Sequence, residues 1–140
     1  MLASLEVSTR ISSVALWDLK SGQALGEKTL SPDVESSATL IPALEILLKE
    51  KDLGPEDLTA LAVATGPGSF TGIRVGLATA EGICMPSNLP VFGVSTLEGL
   101  AENLREAGFF GEALCLIDAQ RGECFVGHYE IQADSLVELN

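Results

Sequence analysis

"TGPGSFTGIRVG", residues 65–76, is the stretch on which the reading of the whole chain turns. Three glycines and a proline fall within Gly66, Pro67, Gly68, Ser69, Phe70, Thr71 and Gly72. The apolar run LTALAVAT (58–65) precedes them, and a helix-like run to about Met85, stopped by Pro86, follows. A strand, a glycine loop and a helix N-terminus bring free backbone N–H groups to one spot, which suits an anion. Two phosphate patterns are absent. Walker A needs a lysine after its second glycine, and no lysine occurs beyond Lys51. The dinucleotide pattern fits Gly66 and Gly68, but Thr71 stands at its third position, with Gly72 one residue late. Ser69 and Thr71 are available as helix caps. Arg74 opposes the helix dipole in the first turn, at a cost of ~0.3–1 kcal/mol. A carboxylate or phosphate from a ligand or a partner protein would relieve it. A phosphate cradle, a tight structural turn and a protein-binding surface all stay open at this point.

Outward from the loop, residues 2–7, 11–18 and 23–30 read as short strands, with a turn at KSGQ (20–23). Leu40, Ile41, Leu44, Leu47 and Leu48 then follow helical spacing, which predicts an amphipathic helix over about 36–51. Pro42 lies inside it, so the helix starts late or bends there. The 58–65 run lacks alternation, as a strand covered on both faces does. LPVFGV (89–94) reads as another buried strand. In STLE (95–98), Ser95 can cap a helix and Glu98 can reach back. Leu97, Leu100, Ala101 and Leu104 share one face of that helix, and Gly108 closes it. Residues 112–118 and 123–131 read as two strands joined by DAQRGE (118–123). The order βββαβαβα followed by ββ implies an α/β fold with a mixed sheet and helices packed on it.

The chain has 140 residues, 46% of them hydrophobic, which is enough for a real core. No apolar run is long enough for a membrane helix. The N-terminus lacks the pattern of a signal peptide, so a cytoplasmic location is expected. Eight basic and twenty acidic residues leave a net charge of −12, which disfavours unaided nucleic-acid binding. Cys84, Cys115 and Cys124 form no CxxC pair and read as buried small hydrophobes. His128 is the one histidine, so no zinc site is readable, and a structural or solvent-facing role is expected.

The segment GPGSFTGIRVGLATAEG (66–82) resembles the signature of the TsaB family of bacterial tRNA threonylcarbamoyladenosine biosynthesis proteins, earlier grouped with glycoprotease-like (M22) proteins. LASLEVST resembles the family's first strand, which ends in Asp-Thr-Ser, and LIPALEILL resembles its first helix. LPVFGVSTLEGLA and DAQRGECF match its next two blocks in order and spacing, so the resemblance runs from about residue 2 to residue 130. Ser36 stands where the family often has histidine, and Gln120 where it usually has arginine. The resemblance implies the fold of the actin-like ATPase/sugar-kinase superfamily, of the ribonuclease H-like kind. Residues 1–108 would form a first actin-like lobe and 109–140 the start of a truncated second lobe. It further implies a non-catalytic partner of a TsaD-like catalytic subunit, acting with a TsaE-like ATPase, with tRNA reached only through those partners. No cofactor, metal or catalytic residue is expected. The turn EVSTRISS (6–13) agrees, because it has no glycine to let a phosphate approach.

Two rivals are enzymes. One is a small ATP-dependent phosphotransferase with Glu6 and Asp118 flanking a metal nucleotide. The other is a glycoprotease-like metallopeptidase, against which the single histidine counts. One further pattern bears on partners. Gly72, Gly76 and Ala80 recur every four residues and share one helical stripe. Each glycine costs a helix ~1 kcal/mol, which makes sense where something must come close. Packing inside the chain is one reading. The other, which the resemblance favours, is a protein–protein seam. There Gly72, Gly76, Ala80 and Arg74 would act with Leu44 and Leu48, pairing with the TsaD-like subunit or making a homodimer when alone.

Overall fold

The computed structural model describes residues 1–31 and 36–139. The side chains of residues 36 and 37, and with them the expectation attached to Ser36, lie outside that description. The strands β1 (Leu2–Glu6), β2 (Ser13–Asp18) and β3 (Gln23–Thr29) form an antiparallel meander. The helix α1 (Ser36–Lys49) follows, then β4 (Ala60–Gly66), α2 (Phe70–Cys84) and β5 (Val91–Ser95). β4 pairs with β1 in parallel and β5 with β4 in parallel, giving the order β3-β2-β1-β4-β5. This is the mixed sheet that the element order implies.

Register explains the core. Ala3 and Leu5 lie beside Leu16 and Val14 on one side, and beside Leu61 and Val63 on the other. All six therefore point to the same face. α1 and α2 cover that face, and α1 contributes Leu40, Leu44, Leu47 and Leu48 to the same buried cluster. α1 begins ahead of Pro42 and runs through it, so the helix does not start late.

After β5 comes α3 (Thr96–Glu106), capped by Ser95, whose hydroxyl accepts from the Glu98 amide at 3.5 Å. It leads to a second antiparallel sheet, ordered β6 (Gly111–Gln120), β7 (Glu123–Ile131) and β8 (Leu136–Glu138). Leu97 and Ala101 of α3 are buried with Cys115, Tyr129 and Ile131 in a core separate from the first. Leu100 and Leu104, expected on the same helical face, are partly open to solvent.

Three expectations need correction. β5 is not a buried strand: Val91, Phe92 and Val94 are exposed, because β5 is the edge of its sheet. Cys84 and Cys115 are buried, but Cys124 is exposed on β7, opposite Asp118. Gly76, Ala80, Leu44 and Leu48 do not lie on a surface; all four are buried in the chain's own interior. A Cβ on Gly76 would strike the Val7 side chain, so this stripe lets α2 lie down on the end of β1.

Candidate functional site

The C-terminal ends of the parallel strands β1, β4 and β5 lie side by side, and Glu6, Gly66 and Ser95 mark them. In open α/β sheets this edge is where ligands collect. The loop 66–72 sits there. Gly66 closes β4, and the Gly66–Pro67 bond is cis. Gly68 has φ +155°, and a Cβ on it would collide with the Ser8 carbonyl. A Cβ on Gly72 would collide in the same way with the Val7 carbonyl. The Ser69 amide donates to the Ser8 carbonyl at 2.7 Å. The loop is thus laid against the backbone that leaves β1, and glycine is required because backbone meets backbone.

Several polar groups at this edge are engaged within the chain. The Ser69 hydroxyl caps α2 by accepting from the Gly72 amide at 3.2 Å. The Glu6 carboxylate accepts from the Ser8 amide at 2.6 Å and from the Ser8 hydroxyl at 2.6 Å, both at Oε1. Ser8 Oγ also lies 2.7 Å from Thr96 Oγ1. Because Ser8 gives its proton to Glu6, Thr96 is the donor in that second bond. Ser8 is 1% exposed and Thr96 7%, so this hydroxyl pair is sealed from water. The sequence reading did not single out Ser8 or Thr96. Both lie in stretches it quoted, but their meeting depends on how α3 is placed.

Phe70 and Thr71, at the start of α2, face outward, and Phe70 is 74% exposed. The Arg74 guanidinium lies over the Phe70 ring, 5.5 Å from its centroid. A cation–π contact of this kind contributes about 0.5–1 kcal/mol at an exposed site. It partly offsets the dipole cost without any carboxylate. Arg74 is the one interface candidate besides Gly72 that is not buried, and the surface near it includes Val75 and Ala78.

Of the rival's carboxylates, Glu6 is held as above. Asp118 accepts from the Gln120 amide at 2.7 Å, inside the β6–β7 turn. Each is occupied by an amide two residues ahead. His128 lies 3.2 Å from Glu112 on the neighbouring strand. Among the described residues no group of three or more His, Cys, Asp or Glu side chains is arranged to hold a metal ion. Burial holds the Cys84 and Cys115 thiols above their usual pKa, which keeps both as inert thiols.

Comparison with known proteins agrees with this geometry. The family model described as "TsaD: tRNA N6-adenosine threonylcarbamoyltransferase" matches residues 31–139. The tRNA threonylcarbamoyladenosine biosynthesis protein TsaB of Escherichia coli K12 is 33% identical over 129 residues, covering 92% of this chain and 54% of that protein. The TsaB of Bacillus subtilis 168 is 37% identical over 103 residues, covering 74% of this chain and 44% of that protein. The chain thus spans about half the length of these curated relatives. The solved structure of YeaZ from Pseudomonas aeruginosa superposes with a TM-score of 0.89 at 29% identity, covering 99% of this chain and 64% of that one. The family match over residues 31–139 and these relatives together show that the chain, an α/β fold with a mixed sheet, belongs to the TsaB family of tRNA threonylcarbamoyladenosine biosynthesis proteins.

Proposed function

We propose that the chain is a non-catalytic scaffold partner of a TsaD-like subunit in tRNA threonylcarbamoyladenosine modification, working in the cytoplasm with a TsaE-like ATPase. One observation carries this reading. At the strand ends where a nucleotide phosphate would sit, the Ser8 amide is capped by Glu6, the Ser69 amide by the Ser8 carbonyl and the Gly72 amide by Ser69. A site that has spent these three amides on its own chain suits a scaffold. The charge of −12 fits a protein that leaves tRNA to its partners.

The surface offered to a partner is then the outer side of α1 and α2, where Ile41, Ile46, Phe70 and Leu77 are exposed and Arg74 lies over the Phe70 ring. Residues 109–140 read as the start of a second lobe. Two features support this. β6 stands at the edge of its sheet, and Leu114, Leu116 and Val126 share an exposed apolar face.

The test is reconstitution. Purified chain alone is expected to hydrolyse no ATP. Added to a TsaD-like subunit and a TsaE-like ATPase, it is expected to raise formation of the modified nucleoside, read by mass spectrometry of digested tRNA. ATP turnover by the chain alone, abolished by Glu6→Gln or Asp118→Asn, would overturn the proposal in favour of the phosphotransferase.

A further inference from the structure

The two buried clusters share no residue, and the chain passes from one to the other at Ser95 and Thr96. The Thr96 hydroxyl ties this junction to the first sheet, and α3 ties it to the second. Thr96 reaches back to Ser8, at the end of β1, through the sealed 2.7 Å bond. Glu6 fixes the direction of that bond by taking the Ser8 proton. Toward the second sheet, the residues that follow, Leu97 and Ala101 of α3, are buried with Tyr129 of β7. Tyr129 is 3% exposed, and its ring lies across Gly127, where any Cβ would strike it. The glycine thus gives the ring room.

We propose that the Thr96–Ser8 bond is a clasp that, through α3, couples the two sheets into one cooperative unit. The physical basis is the cost of an unpaired buried hydroxyl. Removing the Ser8 hydroxyl leaves that of Thr96 dry and without its acceptor, and removing the Thr96 hydroxyl leaves Ser8 bonded to Glu6 alone and the junction untied. Nothing in either core needs that bond. Its loss therefore weakens the junction between the cores and leaves the packing within each as it was.

The chain carries its own two probes. Trp17, its single tryptophan, is on β2 of the first sheet, and Tyr129, its single tyrosine, is on β7 of the second. The experiment is urea unfolding of the full chain, followed by Trp17 fluorescence and by Tyr129 second-derivative absorbance. In the wild type the two transitions coincide. In Thr96→Val, which keeps the shape and removes the hydroxyl, and in Ser8→Ala, the Tyr129 midpoint falls below the Trp17 midpoint by about 0.5 M urea or more. Thr96→Ser, which restores a hydroxyl, brings the two together again. Coincident transitions in both Thr96→Val and Ser8→Ala would overturn the clasp, as would separate transitions in the wild type. Loss of both signals at once in water would also overturn it, because the clasp acts between the sheets and not within them.

Discussion

Ser8 is where three parts of the molecule meet, and each of its polar atoms has a separate task. Its amide and hydroxyl give to Glu6, its hydroxyl receives from Thr96, and its carbonyl receives from Ser69. The carbonyl also blocks any side chain on Gly68. Gly68→Val therefore meets rigid backbone and a φ that valine resists. Overpacking costs ~1–3 kcal/mol and a strained φ a further ~1–3 kcal/mol, so a loss of about 2–6 kcal/mol is expected in urea unfolding. A variant as stable as wild type would mean that the loop does not lie on Ser8. Gly82, late in α2, is the contrasting case, since no atom lies within 4 Å of a Cβ built there. Gly82→Ala relieves only the helix penalty and is expected to add ~1 kcal/mol by the same measurement. A neutral or destabilising result would indicate an unseen contact on that face of the helix.

The elements show which features of the sequence carried information and which did not. Alternation in β1 and β2 and the unbroken apolar run of β4 were legible, because register sends Ala3, Leu5, Val14, Leu16, Leu61 and Val63 to one covered face. The same apolar signal misled for β5. Its residues look like a core strand, but exposure depends on sheet order, and β5 has a neighbour on one side only. β8, three residues long, carries no period to read. The loop 66–72 was legible as a turn, whereas its docking on Ser8 was not, because the two are some sixty positions apart. Tyr129 and the buried cysteines give these elements a pH signature. Burial, the main cause, holds Tyr129 above its ordinary pKa of about 10, and Cys84 and Cys115 above their ordinary value of about 8.5. Each folded value lies above the unfolded one. The stability these groups contribute is therefore complete below the unfolded values and is lost as pH rises through the folded ones. Urea midpoints are expected to hold steady near neutrality and to fall above about pH 8.5, more steeply beyond about pH 10. Tyr129→Phe should flatten the steeper part. A wild-type midpoint that stays level to pH 11 would contradict the burial of all three.

For the whole molecule the open question is self-association, and the correction to the glycine stripe sharpens it. Gly76 and Ala80 are spent inside the chain, so any seam must use the outward side of α1 and α2. Ile41, Ile46, Phe70 and Leu77 are exposed on these helices, Ile46 toward β3 and Leu77 toward β5. A two-fold dimer would cover part of this surface on both copies. Fully burying such a side chain contributes about 1.5–3 kcal/mol, so a few of them on each copy gain about as much as the association cost of about 4–15 kcal/mol takes away. A weak dimer is therefore expected in the absence of a partner. The charge of −12 on each copy opposes it, so added salt should tighten the dimer by screening that repulsion. Light scattering at micromolar concentrations, across a salt series, tests both statements. Ile46→Lys is expected to leave a folded monomer. Gly76→Leu is expected to lose folded structure altogether, because the new side chain runs into Val7 and Val63. A wild type that stays monomeric at every salt concentration would remove self-pairing and leave this surface to a different protein. A Gly76→Leu chain that folds normally and only dissociates would put the stripe back at the seam.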